Sequence, residues 1–546
     1  MQGLMQDYPL TLPPVFDRFE RLYPDKHVVW STVSERRRST VAEWTDRARR
    51  IGGVLDLLAV PAEARVGTFA WNTADHLALY WAVPCTGRVL HTLNIRLFPE
   101  QLTYIVNHAE DDVVFVDRSL LGAFWQLFGD MSTVRHVVVM DDGAPTELPD
   151  DPRVHLLDDL VAEAPPVRFG VAGDENTAAS ICYTSGTTGN PKGVVYSHRS
   201  IYLHSLSALS AAGGIGMAER DRVLPVVPMF HANAWGWGHA PLFAGAELVL
   251  PGPQMQPERI AAMLEEERVT MTAGVPTIWT GMLPELDGRD LTALRMVLCG
   301  GSAVPRALSE GYRAKIGMPI LHAWGMTETS PIGSINASVS AYDGLGEDEA
   351  ADVRARQGIP PVGVDARIVE PGTLTELPWD DKATGELQVR GPWIAAAYFG
   401  VEPSTESFTE DGWLRTGDVG AIDRFGNIRL SDRTKDLVKS GGEWISSVEL
   451  ENHLMSHPAV AEAAVIGVPH PRWQERPLAA VVLKPDATAT KEELVSYLEP
   501  RVAKWWLPDD VVFIDEVPKT SVGKFSKKDL RARFADHQLP DVTPGR

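Results

Sequence analysis

The sequence predicts an α/β protein with a large N-terminal domain and a small C-terminal domain. Short apolar runs alternate with helical patterns through residues 1–170, and this alternation is typical of largely parallel sheets. Residues 358–430 instead combine short strand patterns with many turn residues, which indicates a small β-rich subdomain. We therefore expect mixed and parallel sheets with helices over residues 1–434, including that subdomain, and a compact α+β domain over residues 435–546.

Size and charge narrow the classes of function. The chain has 546 residues, which is enough for three or four domain-sized units. Its formal net charge of −22 argues against general binding to nucleic acid or to anionic membranes. No apolar run has the length of a membrane span, and the first residues lack the pattern of a signal peptide. We therefore expect a cytoplasmic protein without a membrane span.

The cysteines point to the same compartment. Cys85, Cys182 and Cys299 show no C-x-x-C spacing, and at least two of them lie in apolar, strand-like runs. This pattern predicts reduced cysteines in a buried core.

The stretch from Thr177 to His198 contains the most informative motif. Thr177–Tyr183 is apolar enough for a buried strand, and a run of small hydroxyl residues and glycines follows it. Glycine allows the backbone to approach a ligand closely, successive N–H groups can surround an anion, and Lys192 adds a positive charge. The predicted phosphate-binding residues are Thr184, Ser185, Gly186, Thr187, Thr188, Gly189 and Lys192. A flexible surface turn has a similar composition, and the spacing is not that of a G-x-x-x-x-G-K-[ST] loop.

The run Y-T-S-G-T-T-G-N-P-K-G resembles the phosphate loop of the acyl-adenylate-forming superfamily, which includes acyl-CoA synthetases, adenylation domains and luciferases. Over nearly its full length the chain is most similar to the medium- and long-chain fatty acyl-CoA synthetases. The resemblance implies ATP and CoA as co-substrates, Mg²⁺ as a cofactor and a mobile C-terminal domain. Some enzymes of that kind are homodimers, so a homodimer is a further expectation by analogy.

The remaining elements of the N-terminal domain follow from apolar periodicity and from capping residues. A helix is expected to begin at Ser197 and to end near Gly213 and Gly214. The other predicted strands are Arg65–Trp71, Val113–Asp117, Val134–Met140, Glu247–Pro251, Thr270–Val275, Arg295–Cys299, Ala366–Val369 and Gly385–Val389, and the other predicted helices are Asn72–Trp81 and Pro257–Arg268.

Two motifs at strand ends indicate the nucleotide site. One is the Gly-Gly-Ser-Ala run after Cys299, where two glycines admit a planar ligand, and the other is the Trp-Gly-Met-Thr-Glu-Thr run. The resemblance implies that adenine lies between the two runs, that Thr327 contacts phosphate, and that Glu328 holds Mg²⁺ together with Thr188. The implied adenine-site residues are Gly301, Ser302, Ala303, Ala323, Trp324, Gly325 and Met326. The superfamily more often has tyrosine at the position equivalent to 324. Tryptophan lacks a hydroxyl, so it cannot make the contact that a tyrosine hydroxyl would make.

The acyl site is implied by the run P-M-F-H-A-N-A-W, which follows a strand that breaks at Pro228. A histidine beside aromatic residues is most often a core residue. In fatty acyl-CoA synthetases the equivalent histidine lies beside the acyl group and the tryptophan gates the fatty-acid tunnel. The implied acyl-site residues are His231, Trp235, Val275 and Gly325.

The Thr-Gly-Asp run implies a ribose site. A carboxylate on a turn can accept both ribose hydroxyls, and the resemblance assigns this role to Asp418. It also implies that Arg433 reaches ribose and α-phosphate, that Lys439 contacts ATP, and that Lys435 is the hinge between two domain orientations.

The C-terminal domain is expected to contain helices over Ser447–Met455 and Lys491–Ala503 and strands over Ala459–Val468 and Leu478–Leu483. The resemblance implies that the loop before its first helix approaches CoA. The implied CoA-binding residues are Gly441, Gly442, Glu443 and Trp444.

The spacing Pro-x-x-x-x-Gly-Lys near the C-terminus resembles the catalytic loop of the superfamily, which selects Lys524 among several neighbouring lysines. The first step brings a carboxylate to the α-phosphorus of ATP, and two unit charges 4 Å apart repel by roughly 4 kcal/mol at an effective dielectric constant of 20. A lysine between them offsets this repulsion and stabilises the transition state. The implied catalytic residues are Lys524, Glu328, Thr327 and Lys192.

The expected activity is an ATP-dependent acyl-CoA synthetase. It would convert a medium- or long-chain fatty acid to acyl-AMP with release of pyrophosphate, then transfer the acyl group to CoA with release of AMP. Ligation of a short-chain, aromatic or sulfur-containing acid remains an alternative. So do another enzyme of the superfamily, such as a peptide-synthetase adenylation domain or a luciferase-like oxygenase, and a non-catalytic protein that binds ATP or an acyl group.

Overall fold

The computed structural model describes residues 1, 3–170, 173–184, 190–210, 214–370, 372–373, 375–402, 404–441, 443–519 and 525–540. Three groups of predicted site residues therefore lie outside the described residues: Ser185–Gly189 of the phosphate loop, Gly442 of the CoA loop and the catalytic Lys524. The side chain of Glu443 lies outside them too.

The described residues form strands and helices in alternation. The strands are β1 His27–Ser31, β2 Arg36–Thr40, β3 Arg65–Phe69, β4 Val89–Thr92, β5 Asp111–Asp117, β6 His136–Met140, β7 Val154–Leu156, β8 Ala178–Tyr183, β9 Gly193–Ser197, β10 Arg222–Pro225, β11 Glu247–Leu250, β12 Met271–Gly274, β13 Met296–Cys299, β14 Leu321–Gly325, β15 Ile332–Ile335, β16 Asp365–Val369, β17 Gly385–Arg390, β18 Leu414–Ile422, β19 Ile428–Arg433, β20 Val438–Ser440, β21 Glu443–Ile445, β22 Val460–His470, β23 Gln474–Leu483 and β24 Asp510–Phe513. The helices are α1 Pro13–Leu22, α2 Val41–Leu57, α3 Ala74–Cys85, α4 Pro99–Ala109, α5 Leu121–Phe128, α6 Leu157–Glu163, α7 His198–Leu209, α8 Ala232–Trp235, α9 Ala240–Ala244, α10 Pro257–Glu266, α11 Pro276–Met282, α12 Arg306–Ile316, α13 Glu347–Ala355, α14 Ser447–Met455, α15 Lys491–Leu498 and α16 Lys527–Arg533.

Two large sheets form the bulk of the N-terminal domain. One has the strand order β7-β6-β5-β3-β4-β8-β9, and the other has the order β15-β14-β13-β12-β10-β11-β1-β2. Neighbouring strands run parallel except for the pairs β8–β9, β1–β2 and β14–β15. The parallel interior of each sheet confirms the predicted α/β class.

Helix α3 packs against strands of both sheets, and all of its residues except Asp75 are buried. The Tyr80 hydroxyl donates to the carbonyl oxygen of Met229, and Trp81 Nε1 donates to the carbonyl oxygen of Gly238 at 3.1 Å. Both acceptors belong to the segment that follows β10. The largest apolar cluster therefore holds this segment, which includes the predicted acyl-site residues His231 and Trp235, in a fixed place between the sheets.

Two smaller sheets complete the chain. The antiparallel sheet β16-β17-β18-β19 occupies the region for which a β-rich subdomain is predicted. The last sheet has the order β21-β20-β23-β22, with β24 parallel to β23, and it packs against α14 and α15 around an apolar cluster of its own.

Most predicted elements are confirmed to within a few residues, and the helix Ser447–Met455 is confirmed at both ends. The helix after Ser197 begins as predicted, because the Ser197 side chain accepts a hydrogen bond from the Ser200 N–H, but it ends at Leu209. All three cysteines are buried and unpaired, as predicted. Among the described residues, no helix is both long enough and apolar enough to cross a membrane.

Candidate active site

The described residues on either side of the predicted phosphate loop belong to the antiparallel strands β8 and β9 or adjoin them. The Thr184 N–H donates to the Lys192 carbonyl oxygen at 2.9 Å, and the Lys192 N–H donates to the Thr184 hydroxyl at 3.1 Å. Tyr183 pairs with Gly193 directly below them. These contacts hold both ends of the loop, and the Lys192 side chain is exposed beside it.

The predicted adenine and acyl residues meet at one sheet edge. Strands β10, β12, β13 and β14 run parallel side by side, so their carboxyl ends lie together, and such edges are where α/β sheets bind ligands. Gly300 follows β13, and a Cβ there would lie 2.8 Å from the Ala323 carbonyl oxygen and 3.4 Å from the Trp235 ring. Glycine at this position therefore allows the two adenine segments and the predicted gate to approach one another. The adenine residues on this edge are Gly301–Ala303 and Ala323–Met326.

Trp324 connects the adenine segment to the predicted ribose ligand. Its Nε1–H donates to Asp418 Oδ2 at 2.8 Å, and its ring packs against Gly333, where a Cβ would come within 2.3 Å. Arg433 Nε lies 3.1 Å from the other Asp418 oxygen. The Asp418 carboxylate raises the pKa of Arg433, so the guanidinium remains charged. The indole N–H thus makes a polar contact in this site that the sequence did not predict.

The prediction that Asp418 lies on a turn is wrong. The residue lies in the middle of β18, and its neighbour across the sheet is Arg433 on β19. The preceding Gly417 has a φ of 70°, and the pairing register shifts between Val419 and Gly420. This local irregularity within the strand explains why the sequence reads as a turn.

The Thr-Glu-Thr segment is held by two tyrosines. Tyr196 on β9 donates its hydroxyl to the Thr327 carbonyl oxygen at 2.7 Å, and Tyr398 donates its hydroxyl to Glu328 Oε1 at 2.6 Å. Burial and the nearby Glu328 carboxylate raise the pKa of Tyr398, so its hydroxyl remains a donor. Lys192 Nζ lies 4.6 Å from the centre of the Tyr398 ring. Sequence reasoning missed both tyrosines.

Trp235 ends a left-handed turn. Residues Ala232–Trp235 have φ values from 43° to 57°, a conformation that costs about 1–2 kcal/mol per non-glycine residue. The Asn233 side chain stabilises it: its NH₂ donates to the Ser180 hydroxyl at 2.7 Å, and its carbonyl oxygen accepts from the Cys182 thiol at 3.1 Å. Both partners lie on β8, so the strand that precedes the phosphate loop also fixes the turn that carries Trp235.

The other predicted acyl-site residues surround this turn. His231 is partly buried immediately before it, and its carbonyl oxygen accepts the Ala234 N–H at 3.1 Å. Val275 is partly buried at the end of β12, where it precedes α11. Trp235 itself is only 7% exposed. These residues and the adenine segments therefore share one sheet edge, and their roles remain predictions.

The side chains present fit a magnesium ion that arrives with ATP. Among the described residues, no three His, Cys, Asp or Glu side chains converge on one point. Mg²⁺ usually takes one or two carboxylates together with substrate phosphates, not an all-protein cage. Glu328 offers one carboxylate, and Tyr398 donates to only one of its two oxygens. The second predicted ligand, Thr188, lies outside the described residues.

A buried charged cluster joins the two domains beside the predicted hinge. Ser447 donates its N–H to Asp432 Oδ2 at 2.6 Å, and its hydroxyl donates to the same oxygen. Lys527 Nζ lies 2.8 Å from Glu451 Oε1 and donates to the Ser447 hydroxyl at 2.5 Å. Asp432 precedes Lys435 and the other three residues follow it. The cluster therefore spans the predicted hinge.

The cluster predicts a pH-dependent stability. Burial raises the pKa of Glu451 from 4.5 to about 7. Between these pH values the folded protein retains a proton that the unfolded chain has lost, so the free energy of unfolding should fall as the pH rises. A shift of this size corresponds to about 3 kcal/mol. We expect Glu451→Gln to lack this decline when unfolding of the full chain is measured from pH 4.5 to pH 7.5.

Glu449→Gln, on the same helix, is the matched control for this measurement and should keep the wild-type pH dependence. If the free energies of unfolding of Glu451→Gln and wild type change in parallel with pH, Glu451 does not titrate in this window.

The hinge and CoA residues lie close to this cluster. Arg531 donates to the Lys435 carbonyl oxygen at 3.1 Å and pairs with Asp436 at 2.5 Å. Burial lowers the pKa of Lys435, and the positive charge of Arg433 lowers it further. Lys439 Nζ lies 5.3 Å from the centre of the Trp444 ring, and its contact with ATP stays a prediction.

Comparison with known proteins agrees with this geometry. A family model described as AMP-binding enzyme matches residues 16–399, and one described as AMP-binding enzyme C-terminal domain matches residues 449–524. The chain is 45% identical to a long-chain-fatty-acid–CoA ligase of Thermus thermophilus, over 98% of this chain and 97% of that protein. It is 42% identical to a 3-methylmercaptopropionyl-CoA ligase of Ruegeria pomeroyi, over 98% and 99%.

A solved structure extends the comparison to the fold. ATP-bound MatB from Rhodopseudomonas palustris matches with a TM-score of 0.82 at 28% identity, over 96% of this chain and 99% of that one. Apo MatB from the same organism matches with the same identity and coverage and a TM-score of 0.74.

The chain therefore belongs to the AMP-binding enzyme family, and the resemblance inferred from its phosphate loop is confirmed. Within that family it is an AMP-forming acyl-CoA ligase, with ATP and CoA as substrates.

Proposed function

We propose that this ligase activates a medium- or long-chain fatty acid. The observation that supports the proposal is the close approach of Trp235 to Gly300, where an added Cβ would lie 3.4 Å from the Trp235 ring, because it brings a large apolar side chain to the predicted adenylate site. The segment around it is apolar and buried, with Trp237 fully buried nearby. Such a surface favours a hydrocarbon chain over a charged substrate. The identity to the Thermus thermophilus protein supports the same substrate class.

In the proposed first half-reaction, a carboxylate oxygen attacks the α-phosphorus of ATP and pyrophosphate leaves. Asp418 would accept the ribose hydroxyls, Trp324 would cover the adenine, and Lys192 would neutralise phosphate charge. Mg²⁺, held by Glu328 and Thr188, would neutralise further phosphate charge when bound. Lys524 would approach carboxylate and α-phosphate together.

In the proposed second half-reaction, the domain after Lys435 rotates and the CoA thiol attacks the acyl carbon, which releases AMP. The Gly441 N–H donates to the Trp473 carbonyl oxygen at 2.9 Å, beside the predicted CoA residue Trp444. Both indoles are about 40% exposed, and Lys439 and Arg472 lie over their faces. Flat rings with adjacent cations suit the base and the phosphates of CoA.

A short sulfur-containing acid is the second candidate substrate, because the Ruegeria pomeroyi relative carries the name 3-methylmercaptopropionyl-CoA ligase. Chain length discriminates between the two candidates. Each buried CH₂ contributes roughly 0.8 kcal/mol, so a tunnel for fatty acids should raise kcat/KM severalfold with each added methylene until the tunnel is filled.

The test is a panel of straight-chain acids, 3-methylmercaptopropionate and benzoate, with AMP and pyrophosphate release measured with and without CoA. CoA-dependent AMP release that peaks on medium or long chains supports the proposal. A peak on 3-methylmercaptopropionate assigns the second candidate.

The hydrogen bond between Trp324 and Asp418 gives a prediction for ATP binding. Trp324→Phe keeps an aromatic face but removes the donor, and we expect the KM for ATP to rise about ten- to a hundredfold, since hydrogen bonds to charged groups contribute about 1.5–3 kcal/mol. Trp324→Leu also removes the stacking face, and a further tenfold rise is expected. Trp44→Phe, which removes a buried indole that donates to Ala74, should leave the KM unchanged. Equal KM values for the two Trp324 variants would contradict stacking of the Trp324 ring on adenine.

A further inference from the structure

The segment that carries Tyr398 bridges the two halves of the phosphate site. At one end, the Ala395 N–H donates to the Glu328 carbonyl oxygen at 2.8 Å. At the other end, the Phe399 N–H donates to the carbonyl oxygen of Gly193, the residue directly after Lys192, at 2.8 Å. The backbone on either side of Tyr398 is therefore fixed to both motifs.

The side chain of Tyr398 makes two different contacts from this position. Its hydroxyl donates to Glu328 Oε1 at 2.6 Å, and its ring faces Lys192 Nζ at 4.6 Å. Glu328 is buried, whereas Lys192 is exposed. A carboxylate and an ammonium therefore contact the same phenol through its edge and its face, respectively.

We propose that Tyr398 is a positioning residue that keeps Lys192 and Glu328 apart and ready for ATP and its metal. The inference rests on the proposed roles of those two residues. The hydroxyl orients one carboxylate oxygen and makes no hydrogen bond to the other. The ring holds the ammonium by a cation–π contact, which is weaker than a direct ion pair and is readily exchanged for a phosphate. Without the phenol, Lys192 would pair with Glu328, and this pair would compete with both ligands.

Two substitutions separate the contacts. Tyr398→Phe keeps the ring and removes the hydroxyl. Because groups that orient a metal ligand typically change metal affinity 10–100-fold, we expect the Mg²⁺ concentration for half-maximal binding of MgATP to rise about tenfold. Metal-free ATP should bind as in wild type. Tyr398→Leu removes both contacts, and metal-free ATP should bind severalfold more weakly as well.

A double variant tests the competing ion pair. In Tyr398→Leu with Glu328→Gln, the neutral amide cannot form an ion pair with Lys192, so metal-free ATP should bind as tightly as it does to Glu328→Gln alone. Recovery of this kind would not follow from a merely structural defect. Tyr342→Phe is the matched control, because Tyr342 donates to Asp423 at 2.7 Å in the same way, outside the site. It should leave both affinities unchanged.

The affinities are measured by calorimetry on the full chain, with ATP titrated first without metal and then at stepped Mg²⁺ concentrations. Equal Mg²⁺ dependence of Tyr398→Phe and wild type, or failure of the double variant to recover metal-free binding, would overturn the inference. Absence of adenylation by wild type on every acid would count against the proposed function alone, since the binding measurements assess Tyr398 independently.

Discussion

Replacement of Lys524 by alanine is expected to reduce acyl-adenylate formation by about 10²–10³-fold, the loss typical when one preorganised charge-stabilising group is removed. The reaction brings two anions together, and the lysine would offset their repulsion only while the α-phosphorus is attacked. Thioester formation from supplied acyl-AMP involves no such approach of two anions. We therefore expect that half-reaction to proceed at the wild-type rate.

The surroundings of the loop indicate how it is held. Lys519 and Phe525 form a bridge across its base, and the Ser526 N–H donates to the Pro518 carbonyl oxygen at 2.7 Å. Lys527, directly after the loop, is buried in the cluster beside the hinge. The described residues on either side of the loop are thus fixed to the C-terminal domain.

Lys519→Ala is the control for this prediction. Lys519 lies at the base of the same loop, but its ammonium pairs with Glu462 at 2.7 Å. We expect both half-reactions to remain within about twofold of wild type, because exposed ion pairs contribute little to stability. The measurement is single-turnover formation of acyl-AMP from acid and ATP, alongside thioester formation from synthetic acyl-AMP and CoA. Equal loss of both steps in Lys524→Ala would contradict the assignment.

The fold could be predicted from sequence where apolar patterns are strong and local. The strand before the phosphate loop and the helix Ser447–Met455 are confirmed for this reason. The helix predicted over Lys491–Ala503 ends at Leu498 instead, because Pro500 has no N–H with which to continue the helical hydrogen bonds. The prediction of a turn at Asp418 is wrong because this residue lies in β18. The register of β18 depends on its pairing with β19, and no local sequence pattern indicates that pairing.

In the candidate site, too, features with a local sequence pattern could be predicted, and features that depend on tertiary structure could not. Motif residues such as Trp324 and Glu328 were predicted because their local sequence is distinctive. Tyr398 was missed because it lies 70 residues from Glu328 in sequence, and only tertiary structure brings the hydroxyl to the carboxylate. The only local sequence signal for Tyr398 is an aromatic residue shortly after the Gly-Pro-Trp run at residues 391–393. The indole contact with Asp418 was missed for the same reason.

Lys435→Pro is expected to preserve adenylation while slowing thioester formation at least tenfold. Proline fixes φ near −65° and restricts the residue before it, so a backbone that must change conformation at this position loses that freedom. In the proposed cycle, thioester formation is the step that requires this rotation. The substitution should therefore disfavour the orientation that thioester formation requires.

Specific contacts explain why the hinge would limit the second step. Ser446 donates to the Ser431 carbonyl oxygen at 2.5 Å, and Ser447 donates to Asp432 at 2.6 Å. Each contact joins a residue before Lys435 to one after it, so rotation about Lys435 must break both of them. The loss of these two hydrogen bonds has to be offset by contacts with CoA and by free rotation of the backbone at the hinge. Proline removes that free rotation.

Lys435→Ala separates the role of the backbone from that of the side chain. Alanine keeps φ free, so both half-reactions should run near wild-type rates, and only the proline variant should accumulate acyl-AMP in a single turnover with CoA present. Unchanged overall turnover in Lys435→Pro would show that the chain rotates elsewhere. Because Arg531 contacts both the Lys435 carbonyl and Asp436, the adjacent backbone would then be the next position to restrict.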